Sequence, residues 1–254
     1  MAAVHAKKIN LDRLLVERGT TESSEKAKRL IMAGLVYVNG QKSDKPGTKV
    51  AMDAEIKVRE VLRYVSRGGL KLAAALDHFG LEPADCLCLD VGASTGGFTD
   101  CLLQRGARKV YAVDVGYGQL DYRLRQDNRV VNLERTHIRR LSEQHMPELV
   151  DVLTIDVSFI SLTTVLPLAW PFLKPGGWAV CLIKPQFEAG RKNLGKGGVV
   201  RDEQIRQACI DRVITAASGL EHSQVLGFIE SPIHGPKGNI EYLLSLQNIF
   251  GSAS

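Results

Sequence analysis

Two short segments of this 254-residue chain carry residue types at spacings that suit chemistry. The first is DVGASTGGF, Asp90 to Phe98. Its glycines, Gly92, Gly96 and Gly97, let backbone approach a ligand closely, and a helix beginning there would offer free amide groups from its first turn. Ala93, Ser94 and Thr95 fill out the loop between them. The spacing differs from the GxGxxG of a dinucleotide fingerprint. The second segment, VYAVDV, puts Asp114 twenty-four residues after Asp90, a suitable distance for an acid that takes ribose hydroxyls. Four more ionisable residues, Lys71, Asp156, Lys184 and Glu241, are scattered along the chain, yet each falls at the end of a predicted element or on a helix facing that end.

Those elements follow from hydrophobic patterning. SRGGLKLAAALDHFG has helical apolar spacing, and beyond it strands and helices alternate. Strands are predicted at 86–91, 109–113, 129–132, 152–156, 178–184, 223–229 and 240–246. The alternation implies a doubly wound, largely parallel α/β sheet, whose ligands bind beyond the carboxyl ends of its strands. Asp156 ends the fourth strand and Lys184 the fifth, while Lys71 lies on the helix before the first. If the last strand runs antiparallel, Glu241 opens it on the same edge, and all four converge. LKPGG at 173–177 is expected to be a turn, and the apolar run from Phe159 to Leu173, with Pro167 and Pro171, a buried helix too short to span a bilayer.

The head of the chain is different. Apolar residues recur at helical spacing around Leu11, Leu14 and Leu15 and again around Ala27, Leu30 and Ile31, with Ser23 or Ser24 as cap and Gly34 as stop. Val36 and Val38 then alternate into Asn39-Gly40, a type I′ hairpin signal. Residues 1–60 hold 12 basic against 8 acidic side chains, and the remainder 21 against 20, so the surplus of positive charge sits in this module and suits a nucleic-acid partner. The five cysteines show neither zinc spacing nor a disulfide framework, which suits a reducing cytosol. MAAVHAKKINLDRLL lacks the apolar run of a signal peptide. His137, His145, His222 and His234 have no ligand spacing and are read as ordinary surface or loop residues. GKGGVVRD, residues 195–202, lacks Walker spacing and a preceding strand and is read as either a flap over the substrate or a plain loop.

Resemblances sharpen this picture. LDRLLVERG and SSEKAKRLIMAGLVYVNGQ resemble the alpha-L RNA-binding domain of ribosomal small-subunit protein four, which makes Arg13, Lys26, Lys28, Arg29 and Lys42 candidates for one phosphate-contacting face. DVGASTGGF resembles the first motif of Rossmann-like methyltransferases, whose loop, Asp90 to Phe98 here, holds the methionine end of S-adenosylmethionine, with Asp114 on the adenosine ribose and Asp156 also beside the cofactor. Lys71, Asp156, Lys184 and Glu241 resemble the tetrad of FtsJ-type ribose methyltransferases. SRGGLKL, ERT, DVSFIS, KPQFE, GKGGVVRD and GPKGNIEY are similar to the TlyA-type rRNA methyltransferases, historically called hemolysins, except that His137 stands where known members have asparagine.

The resemblance implies a Rossmann-like methyltransferase domain with a seven-stranded, mostly parallel sheet and helices on both faces, preceded by a small α+β RNA-binding domain. The bounds expected are 8–60 for the RNA-binding domain, 61–65 for a linker and 66–254 for the methyltransferase. It implies S-adenosylmethionine as cofactor and 2′-O-methylation of a cytidine in ribosomal RNA, on free RNA or ribosomal subunits, in the cytoplasm, with no metal and no membrane. Lys184 is then the candidate base or orienting group, because a 2′-hydroxyl is a poor nucleophile at neutral pH. Asp156-Val157-Ser158-Phe159 is unlike the NPPY segment of amine methylation, and Cys181, set among apolar residues, is expected to be structural rather than a carbon-five nucleophile. The other readings are a membrane-active hemolysin and an RNA-binding protein with a vestigial methyltransferase fold.

Overall fold

In a computed structural model of the chain, residues 8–59 and 62–249 are described. The chain divides into two compact units, at residues 62 and 63.

The first unit runs β1 (Lys8–Asn10), α1 (Leu11–Glu17), α2 (Ser24–Met32), β2 (Val36–Val38), β3 (Gln41–Ser43), β4 (Lys49–Ala51) and β5 (Ile56–Val58). The side-chain oxygen of Ser23 accepts from the Lys26 amide and caps α2. The expected hairpin is present: Asn39 and Gly40 both have positive φ, 49° and 79°, as a type I′ turn requires, and Val38 pairs with Gln41. β3, β2 and β5 form a three-stranded sheet, and β1 pairs with β4. Leu11, Leu14, Leu15, Ala27, Ile31 and Val36 bury completely or nearly so, and each buried leucine or isoleucine contributes roughly 1.5–3 kcal/mol.

The basic residues of α2 do not share a single face. Lys26 and Lys28 are two positions apart, about 200° around a helix of 3.6 residues per turn. Lys26 reaches Glu22 at 3.2 Å, whereas Lys28 turns toward Asp12 of α1 at 4.0 Å. Lys26 and Arg29, three apart, lie on one side.

The second unit begins with α3 (Gly68–Phe79) and continues with β6 (Leu87–Val91), α4 (Gly97–Gln104), β7 (Lys109–Val113), α5 (Tyr122–Gln126), β8 (Val130–Leu133), β9 (Val150–Ile155), α6 (Leu162–Ala169), β10 (Leu173–Ile183), α7 (Pro185–Glu188), α8 (Glu203–Ser218), β11 (Ser223–Glu230) and β12 (Tyr242–Asn248). Seven strands form one sheet in the order β11-β12-β10-β9-β6-β7-β8. β6 pairs in parallel with β7 and β9, β9 with β10, and β7 with β8, while β12 is antiparallel to both of its neighbours. Alternate residues of β6 feed the two faces: Leu87, Leu89 and Val91 pack in one apolar cluster, and Cys88 packs in the other with Leu72, Leu76 and Val110. Burial on both sides is why these strands read as continuous apolar runs rather than alternating ones.

Two local expectations need correction. Residues 173–177 do not form a separate turn: β10 starts at Leu173, and its pairing with β9 shifts register between Leu173 and Trp178, so the segment is an irregularity within the strand, with Gly176 at φ 82°. The apolar run after residue 159 is only partly a buried helix. Phe159 has φ 66° and is 92% exposed, and α6 begins at Leu162, capped by Ser161. Cys181 is fully buried, and burial pushes its thiol far above the ordinary range, leaving no thiolate for nucleophilic attack. Among the described residues no helix is long and apolar enough to cross a membrane.

Candidate active site

β6 ends at Val91, and the chain turns through Gly92 to Gly96 into α4. Gly92 has φ 85°, and a side chain there would overlap the carbonyl oxygen of Asp156. Asp90 is fully buried beneath this loop, where the Thr99 hydroxyl donates to one carboxylate oxygen at 2.7 Å and the Thr154 hydroxyl to the other at 2.9 Å. Asp90 therefore touches neither of the cavities described below. It is a buried post that ties β6, β9 and α4 together, not the ligand contact expected from the motif. Gly96 likewise faces Leu120 and Leu124 rather than a cavity.

Burial raises the Asp90 pKa to about 6, against the opposing pull of the two hydroxyl donors. The unfolded value is about 3.9, so the folded state resists ionisation. No cost is present below about pH 4; the cost grows as pH rises through the folded pKa and reaches roughly 3 kcal/mol above it. Asp90→Asn removes that dependence. Urea midpoints of both proteins between about pH 4 and pH 7 are expected to show the variant gaining stability relative to the wild type as pH rises. A flat or falling difference would contradict the buried, reluctantly ionised state.

Two cavities flank the loop. One, of about 390 Å³, is lined by Lys71, Ser94, Thr95, Asp156, Lys184 and the 233–236 turn, among others. The other, of about 360 Å³, has apolar walls from Val113, Ile138, Val157 and Val165, with Asp114 and His137 also on its wall. Gly92, Ser94, Asp156 and Ser158 border both.

The four ionisable residues form two ion pairs. Lys71, on α3, donates to Glu241 Oε2 at 2.5 Å, and Glu241, only 1% exposed, also accepts from Gln186 Nε2 at 2.8 Å. Glu241 stands behind Lys71 instead of on the cavity wall, and a side chain at Gly235 would overlap its carboxylate. Lys184 sits at the head of α7, its ammonium 2.6 Å from Asp156 Oδ1 and donating to Ser158 Oγ at 2.9 Å. The contact with Asp156 is an ion pair without hydrogen-bond alignment, since Oδ1 has no hydrogen-bonding partner. Lys71, Lys184 and Asp156 share one cavity, at the carboxyl end of the parallel strands.

Asp114 is held at the second cavity by the amides of Ser94, at 2.8 Å, and Gly116, at 2.6 Å. Each carboxylate oxygen keeps a further lone pair for a hydroxyl. Glu134 fixes the loop that follows. Burial would raise its pKa, but the Leu120, Gly118 and Gln119 amides and the Asn132 side chain outweigh that and lower it to about 2.

The sequence reading missed Ser158, Gln186 and Glu134, which hold the other groups in place. It also passed over His137 and His234, which line the two cavities. Their positions beside the ERT and GPKG segments were the available signals; neither histidine has the spacing that marks a ligand pair.

Residues 64–248 match the FtsJ-like methyltransferase family. The chain belongs to that family. Residues 9–56 match the S4 domain. The chain is 52% identical to the Bacillus subtilis protein named “Putative rRNA methyltransferase YqxC”, over 95% of this chain and 86% of that one. It is 45% identical to the 16S/23S rRNA (cytidine-2′-O)-methyltransferase TlyA of Mycobacterium tuberculosis, over 95% and 91% respectively. A solved structure described as “Putative hemolysin from Streptococcus thermophilus” superposes with a TM-score of 0.71 at 46% identity, covering 96% of this chain and 90% of that one.

Proposed function

We propose that this FtsJ-like methyltransferase transfers a methyl group from S-adenosylmethionine to the 2′-hydroxyl of a cytidine in ribosomal RNA, in the cytoplasm, on free RNA or on ribosomal subunits. One observation carries the reading. Two lysine–carboxylate pairs stand at one sheet edge, on a cavity that shares its glycine-loop wall with a chamber holding an acid for a ribose.

The residues fit the cofactor. Asp114 has lone pairs for two ribose hydroxyls, Ile138 and Val157 offer apolar faces for an adenine, and Gly92 to Phe98 give close backbone access for the methionine end. When bound, S-adenosylmethionine supplies a methyl already activated by a positive sulfur. The protein then has to hold the 2′-hydroxyl in line and accept its proton. Lys184, held by Asp156 and Ser158, is the group placed to do both: as an ammonium it orients the hydroxyl, and as the free amine, the only form with a lone pair, it takes the proton. Lys71, pinned by Glu241 and Gln186, fixes the opposite wall. Incubation with methyl-labelled S-adenosylmethionine and ribosomal subunits, followed by mapping of the modified nucleotide, tests this. Label on a cytidine ribose is expected; label on a base, or none on RNA, would overturn it.

The S4 domain supplies salt-sensitive docking through Arg13, Lys26, Lys28, Arg29 and Lys42, all exposed, with Lys26 and Arg29 reaching RNA from one side of α2 and Lys28 from the other. Converting Lys26, Lys28 and Arg29 to glutamine is expected to weaken RNA binding by on the order of tenfold and flatten its salt dependence, with S-adenosylmethionine affinity unchanged. Unaltered RNA affinity would remove these residues from the interface.

A further inference from the structure

A third cavity, of about 390 Å³, lies on the second unit and is lined by Val199, Val200, Arg201, Arg206, Lys237, Gly238 and Ile240. Its wall holds three cations and no carboxylate, and among the described residues none of the three pairs with an acid within 4.0 Å. Their duties differ. Arg206 serves the fold, donating to the Arg201 carbonyl at 2.7 Å and to the Tyr242 hydroxyl at 3.3 Å. Among the described residues Arg201 and Lys237 make no such side-chain hydrogen bonds: the guanidinium of Arg201 lies over Gly195, and the stem of Lys237 over Gly197. Both are exposed.

The backbone that carries them is held in place. Asn239, 4% exposed, accepts from the Val200 amide at 3.1 Å and donates to the carbonyls of Gly198 at 3.2 Å and Pro236 at 3.1 Å. This staple joins the glycine-rich 195–200 segment to the 235–239 turn. Gly235 and Pro236 of that turn line the cavity of Lys71 and Lys184, and Lys237, the next residue, lines the cationic one. Consecutive Cα atoms are about 3.8 Å apart, so the two cavities meet at one turn. Lys237 has φ 58°, a left-handed conformation in which glycine would be less strained.

We infer that Arg201 and Lys237 form a binding site for an RNA backbone phosphate next to the nucleotide being methylated. A ribose hydroxyl at Lys184 carries its strand past this turn, and a guanidinium with an ammonium, uncompensated by acids, recognises a phosphodiester through charge-assisted hydrogen bonds. The site would thus fix the register of the strand, separately from the S4 domain. The inference rests on the proposed RNA methylation.

The test compares the wild type with an Arg201→Gln, Lys237→Gln double variant and with Lys237→Gly alone, which removes one cation while suiting the backbone. Methyl transfer to deproteinised ribosomal RNA is measured, with RNA affinity across a salt series and S-adenosylmethionine affinity alongside. For the double variant the KM for RNA is expected to rise about tenfold, with kcat and cofactor affinity unchanged. The slope of log affinity against log salt is expected to flatten by about 0.7 for each single-strand phosphate that the variant no longer neutralises. Lys237→Gly shows the same pattern at smaller size, and it decides the matter if the double variant no longer binds cofactor. An active wild type whose variants keep its KM for RNA and its salt slope overturns the site, as does a fall in kcat alone. A wild type that methylates no RNA overturns the proposed function instead.

Discussion

Lys184→Ala is expected to lower methyl transfer about a thousandfold or more, within the range by which a positioned acid–base group accelerates proton transfer and orientation adds to it. S-adenosylmethionine should bind as to the wild type, because the contacts proposed for the cofactor lie on Asp114, the glycine loop and the apolar walls of the neighbouring chamber. The ammonium of Lys184 is only 2.6 Å from Asp156, so its removal also leaves that carboxylate without its cation. Lys184→Arg separates the two effects. Arginine keeps the positive charge beside Asp156 but does not lose its proton near neutrality, so its turnover should stay close to that of alanine while its thermal stability returns to the wild-type level. Normal turnover in either variant would remove Lys184 from the chemistry.

The second large effect concerns the deeper pair. Glu241 is 1% exposed and Lys71 9%. Removing one partner of a buried ion pair strands the other, which costs about 3–5 kcal/mol. Lys71→Ala should therefore lower stability by an amount of that order, visible as a shift in the urea midpoint, and Glu241→Ala should do the same while also releasing Gln186. The double change Lys71→Met, Glu241→Leu replaces the pair with apolar volume, and such exchanges are often neutral or stabilising. Stability is expected to recover in the double variant, and methyl transfer is not. Recovery of both would reduce the pair to a structural element.

Much of the second unit was legible because buried parallel strands must be apolar throughout and the helices between them must show a 3.6-residue period. Strand positions such as 109–113 matched the structure, since tertiary packing reinforced a local preference. Boundaries failed where backbone geometry outran the pattern. Residues 173–177 look like a turn by composition, but the pairing of Leu173 with Val150 of β9 draws them into β10 as an irregular stretch. Phe159 belongs to an apolar run and yet stands almost wholly exposed, because α6 cannot start before its Ser161 cap.

The sequence by itself determined the fold class, and it singled out the glycine loop, the acid at the end of β7 and the four ionisable groups as candidates, because each depends on local spacing and on the rule that ligands meet the carboxyl edge of a parallel sheet. Only the tertiary structure decided who pairs with whom. It set Lys71 on Glu241 and Lys184 on Asp156, withdrew Asp90 from the ligand to a buried post, split the basic residues of α2 between two sides, and joined two loops through Asn239 to make a cationic cavity. The reason is physical: these contacts span up to 170 residues of chain, and side-chain distance and desolvation exist only once the sheet has brought remote segments together.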